Sequence, residues 1–288
     1  IGVGLSIGFK ANVWNIGAEG QFTMGAIAGG GTALFLNTQE SFLVLPAVLL
    51  MGILGGIVWG MIPAFLKTKF NANEILTSLM LSYVALLILS YLVHGPWRDP
   101  GGYNFPESEI FSDFAMLPIL LEGTRLNLGT VFALLSVLII YILLSRTVLG
   151  YQFKVVGLAP AAAKHAGFDR AKLIWLSMII SGGLAGLAGI SEVSGTIGQL
   201  LPSVSPGYGF TAIIVAFLGR LNPVGVLFAG LIMALTYIGG ENAQIEIGLP
   251  AAVTGLFQGI ILFFLLACDV LARYRLRYKL FLKARDRE

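Results

Sequence analysis

Charge, cysteine and histidine are all scarce in this chain of 288 residues, and each shortage removes a class of chemistry. The single cysteine, Cys268, excludes an internal disulfide. Two isolated histidines, His94 and His165, do not make a His-rich metal site, and neither is flanked by the partners that a hydrolytic nucleophile would need. A Gly-x-x-x-x-Gly-Lys-Ser/Thr phosphate loop is missing, as is any Gly-Lys pair, so this polypeptide lacks that device for holding ATP. Catalytic residues, metal ligands and cofactors are therefore not expected in it.

What is present is apolar. The composition is 57% hydrophobic against 11% charged, with apolar runs near 17–36, 42–66, 73–93, 128–145, 173–191, 208–218, 224–240 and 248–268. Several reach the roughly 20 residues that cross about 30 Å of hydrocarbon. The expected fold is all-α, a polytopic transmembrane helical bundle, read as one domain over residues 1–288. The run 208–218 would rise only about 16 Å as a helix. With Pro206-Gly207 before it and Asn222-Pro223 after it, it is expected to be a half-helix or re-entrant element. Residues 1–9 are too short to span, and at least one further N-terminal helix is expected. The 37 glycines suit helices that pack through small residues, with candidate faces at Gly52, Gly56 and Gly60 and at Gly182 and Gly186.

Lysine and arginine fix the orientation. If the C-terminal tail is cytoplasmic, then of 18 such residues only Arg98 and Arg125 fall on the external face. The basic tail 273–288 follows a spanning segment, so it reads as topology and anionic-lipid contact rather than a nucleic-acid patch. Two loops are long enough to carry contacts. The external loop 94–127 holds Trp97, Phe111 and Phe114, and reads either as a partner surface or as an amphipathic turn anchoring the bundle. The cytoplasmic loop 146–172 holds Gly157-Leu-Ala-Pro-Ala-Ala-Ala-Lys-His-Ala-Gly-Phe-Asp169, whose small residues would let a partner approach the backbone closely.

Asn15-Ile-Gly-Ala-Glu-Gly-Gln21 is a polar, glycine-rich island that cannot continue a lipid-facing helix, so a discontinuous element is expected there. Glu19 is a functional candidate as an intramembrane carboxylate, or a cap for the amides of the helix that follows. Asn71 and Glu74 have the spacing of a capping box. Ser78, Ser82, Asn242, Gln244, Thr254 and Gln258 could line a path for a hydroxylated substrate or bond between helices.

The islands at 15–21 and 157–189, the latter with Ala161-Ala162-Ala163, Gly167 and Ser181-Gly-Gly-Leu-Ala-Gly-Leu-Ala-Gly189, resemble the permeases of nucleoside and simple-sugar ABC importers. Asn71–Ser82 and Gly95-Pro-Trp-Arg resemble the nucleoside branch, which is associated with lipid-anchored binding proteins. The resemblance implies an ATP-driven nucleoside importer in a bacterial cytoplasmic membrane, with a simple-sugar permease as the alternative. It implies a separate ATP-binding subunit carrying ATP and Mg, a second permease subunit, identical or paralogous, and an external substrate-binding lipoprotein. Gly157, Ala161, Ala162, Ala163, Lys164 and Gly167 would couple to the ATPase; Asn15, Glu19, Gln21, Ser82 and Gln258 would belong to the translocation path. An ion-driven secondary transporter is the principal rival, and would usually carry paired membrane carboxylates or cation sites.

Overall fold

The computed structural model describes residues 1–250 and 252–273, so the basic run from 274 onward lies outside the described residues. Eleven α-helices are described: α1 (Gly2–Lys10), α2 (Ala18–Phe35), α3 (Val44–Phe70), α4 (Glu74–His94), α5 (Leu128–Arg146), α6 (Val148–Leu158), α7 (Pro160–His165), α8 (Arg170–Glu192), α9 (Tyr208–Leu218), α10 (Pro223–Ile247) and α11 (Ala252–Arg273). A π-helical turn, Val193–Ile197, prolongs α8. No strand occurs among the described residues. The protein is an all-α membrane bundle, with α3, α4, α5, α8 and α10 each long and apolar enough to cross a bilayer.

The chain forms two compact units, Ile1–Ile232 and Met233–Glu288, and the boundary falls inside α10. In the first unit, α2 is the hub rather than a lipid-facing span. It is buried along most of its length and packs against α3, α4, α8 and α9. Glycine makes this crowding possible: a side chain on Gly25 would strike Gly186, and one on Gly20 would come within 2.7 Å of the Ser82 backbone. The two small-residue faces read from the sequence meet each other. Gly56 of α3 lies against the Gly182 carbonyl and within 2.7 Å of Gly186, measured from where a Cβ would stand, and Gly60 lies against the Met178 carbonyl. Lipid tails are as apolar as leucine, so close backbone contact, not hydrophobic exclusion, holds these helices.

Both expected breaks are present, but the first lies at residues 11–17 rather than 15–21, and Ala18 to Gln21 are already helical. Helix α1 ends at Lys10, and Asn12 takes a left-handed φ of 57° before the chain re-enters helix at Ala18. The short run 208–218 is helix α9, entered through Gly207 at φ 99°. The cap of α4 differs from expectation: Asn73, not Asn71, accepts from the Ile75 and Leu76 amides at 2.9 and 3.4 Å. Asn71 instead closes α3 in the left-handed region, a role its short polar side chain tolerates, and Glu74 pairs with Lys67 at 2.9 Å.

The loop 94–127 folds back on the bundle. Ser108 and Leu200 exchange two hydrogen bonds of 2.9 and 3.0 Å, Phe111 N donates to Gly198 O, and Leu117 N to Ser194 O. Phe111 is buried, Trp97 packs on Gly31 and Phe114 stays partly exposed, so anchoring falls to the first two. In the second unit, α10 turns back into α11 through Gly248 at φ 68°, and Gly240 packs against Thr254.

Candidate functional site

The two polar islands have opposite surroundings. In the first, Asn15 sits in the break between α1 and α2 and is buried. Its Nδ2 donates to Gln21 Oε1 and to Ser181 Oγ, both at 2.9 Å, while its Oδ1 accepts from Gln21 Nε2 at 3.2 Å and Gly17 N at 3.0 Å. An amide side chain has two donors and two lone pairs, and all four are used. Alongside, Ser78 Oγ accepts from Ile16 N at 3.1 Å and Ser82 Oγ from Gly20 N at 3.2 Å. The island thus ties the break, α2, α4 and α8 into one network, as buried polar groups require where water is excluded.

Glu19 departs from local expectation. It stands in the first turn of α2, yet its carboxylate reaches α9, where Oε2 accepts from Gly209 N at 2.6 Å, with Phe210 N and the Ser205 hydroxyl also in reach. Gly207, at the N-cap of α9, has no side chain to offer, so an anion from 190 residues away satisfies the orphan amides and faces the positive end of the dipole. Only 2% of Glu19 is exposed. Phe9 of α1 and Trp14 of the break after it stack on Phe217 of α9 with centroids 5.2 and 5.8 Å away.

Asn15, Glu19, Gln21 and Ser82 are therefore gathered at one place. Gln258 belongs to the second unit, where it is buried in α11. Ser181, Gly209 and Ser205 complete the network; Ser181 stands in the sequence only as part of the 157–189 resemblance, and nothing local marks any of the three as neighbours of residues 15–21.

The second island lies on the surface. Helix α6 packs Phe153 and Val156 inward, and Gly157 sits directly on the Lys10 carbonyl, a contact no other residue would allow. Pro160 opens α7, which stops as Gly167 turns left-handed at φ 74° while Phe168 N returns to Ala163 O at 3.0 Å. Asp169 then caps α8 through the Ala171 and Lys172 amides. Ala161, Ala162, Lys164 and Gly167 are exposed; Ala163 is 3% exposed and faces inward. Of the six residues expected to dock a partner, Gly157 and Ala163 serve internal packing and the other four form the outer face.

Residues 1–266 match the family model described as branched-chain amino acid transport system / permease component. The chain belongs to this permease family. Among relatives of the permease, a glucose ABC transporter permease protein, TsgB13 of Haloferax volcanii, is 37% identical over 95% of this chain and 74% of its own. The guanosine ABC transporter permease NupP of Bacillus subtilis is 32% identical over 96% and 78%, and the nucleoside permease NupB of Lactococcus lactis 28% over 90% and 73%. No solved structure matches the permease. It is a multi-pass transport component and not itself an enzyme.

Proposed function

We propose that this permease is the membrane subunit of an ATP-driven nucleoside importer, moved by a separate ATPase that docks on α7. The observation that carries the docking is the outer face of Ala161, Ala162 and Gly167, small residues beside the cationic Lys164, on a tip held by internal packing at Gly157 and Ala163. ATP and Mg would sit on that partner, a second permease copy or paralogue would complete the membrane unit, and an external lipoprotein would deliver substrate near 94–127. The C-terminus and residues 146–172 would face the cytoplasm of a bacterial cell.

Nucleoside as substrate is supported by the guanosine and nucleoside permeases among the relatives. The glucose permease, at 37% identity, supports a simple sugar as the second reading. Binding of a panel of nucleosides and hexoses to the cognate lipoprotein, followed by uptake through the assembled importer, separates them; hexose binding without nucleoside binding rejects the first. Orientation is tested by impermeant thiol labelling of Tyr103→Cys and Ala162→Cys, both exposed positions. Only the first should react from outside intact cells.

A further inference from the structure

Between the external loop and α9 runs a stretch, residues 201–207, that is irregular where the bilayer should be. Its upper end is fixed: Gln199 Nε2 donates to Glu107 Oε2 at 2.9 Å, and Leu200 N to Ser108 Oγ at 2.9 Å, which pins it to the face carrying residues 94–127. Its lower end enters α9, which ends beside Arg220 on the opposite face, where Phe217 stacks on Phe9 and the neighbouring Lys10 meets Gly157. Eleven helical residues cover only about 16 Å, roughly half of a 30 Å hydrocarbon layer. Residues 201–207 must therefore cross the outer half without a helix's internal hydrogen bonds.

That stretch is not sealed by its own unit: Ser203 and Pro206 are exposed, Leu201, Pro202, Ser205 and Gly207 are part-exposed, and only Val204 is buried. Irregular backbone does not face lipid; it is covered by protein or lines a water-filled cavity. We propose that residues 201–207 form a wall of the translocation path, with Ser203 as the side chain that meets substrate and Glu19 closing the floor beneath it. The proposal rests on the importer reading above and adds to it a place and a chemistry. Ser205 Oγ is occupied, accepting from Gly207 N and Tyr208 N at 3.0 and 2.9 Å. Ser203 Oγ donates to Ser205 O at 3.3 Å and keeps its lone pairs for a substrate hydroxyl. The carboxylate of Glu19 is committed to α9, so this wall presents hydroxyl and carbonyl groups rather than charge, which suits a neutral, hydroxyl-rich solute such as a riboside.

The test uses the complete importer with Cys268→Ser and single cysteines at Ser203, Pro206 and, as a reference, Leu87 on the outward face of α4, which is 70% exposed. A charged, impermeant methanethiosulfonate should modify Ser203→Cys and Pro206→Cys but not Leu87→Cys. Nucleoside should slow the reaction, and modification should reduce uptake to background. If lipid or a second permease chain seals the stretch, both cysteines stay as inert as Leu87→Cys, and the proposal is overturned. Modification with full uptake and no protection by substrate overturns it as well. Should the unmodified importer carry neither nucleosides nor hexoses, the functional reading fails, and the labelling contrast with Leu87→Cys still decides whether the stretch lines water.

Discussion

Residues 15–21 and 157–167 both resemble the same permease family, yet one is sunk in the bundle and the other stands on its surface. In the first, every polar group of Asn15 is spent inside the chain, and Glu19 is spent on a helix far away in sequence. In the second, four of six residues face outward and make few bonds of their own. The contrast teaches that a family motif can mark architecture as readily as contact. Polarity at membrane depth signals a joint between broken helices, whereas the bland residues of the exposed loop form the surface on which the proposed ATPase would dock.

The sharpest way to break this contrast is steric. Gly20→Val should prevent accumulation of folded protein, because its side chain would collide with backbone at Ser82, and overpacking a tight seam costs about 1–3 kcal/mol or more. Membrane yield and gel-filtration profile in detergent would show it. Asn15→Ala comes next: it strands both ends of the Gln21 amide, and orphaned buried groups cost about 1–3 kcal/mol each. Thermal unfolding in detergent should register that loss, and a wild-type midpoint would place Asn15 outside the load-carrying network.

Glu19→Gln is expected to be milder, on the order of 1–2 kcal/mol, since the amide oxygen still accepts from Gly209 but the charge at the dipole is gone. Uptake should fall further than stability, because the loosened element is the floor of the proposed path. Equal, small losses in both would reduce Glu19 to a plain cap. Smallest in stability is Ala162→Leu, within about 0.5 kcal/mol as for most surface changes, while coupling of ATP hydrolysis to uptake should be lost. Gly167 and Ala163 are poor places for this experiment: the first needs its positive φ, and the second is buried.

Much of this was legible beforehand, where the signal was local or periodic. The half-helix at 208–218 and the paired glycine faces each follow from composition over a few residues, as does the break ahead of α2, although it falls at 11–17 and leaves Ala18 to Gln21 helical. The capping residue of α4 was misplaced by two positions, because Asn71 and Asn73 are chemically alike and only the backbone decides which one caps. Helix α2 reads as one more span, yet its small residues buy it a central place among neighbours instead of exposure to lipid. The Glu19–Gly209 bond and the seam between residues 107–117 and 194–200 were invisible, since no pattern along a chain announces a partner so far away in sequence.

The glycine seam of α2, α3 and α8 also bears on how the molecule moves. Backbone touches backbone at Gly25, Gly52, Gly56, Gly182 and Gly186, so there are no rotamers in the contact to rearrange and no slack for one helix to slide past another. These three helices must travel as a single body. Any alternation between outward and inward states is thereby pushed into the elements outside this body, and the start of α9, where Gly209 lies against the Ala18 and Glu19 backbone, travels with the body rather than apart from it.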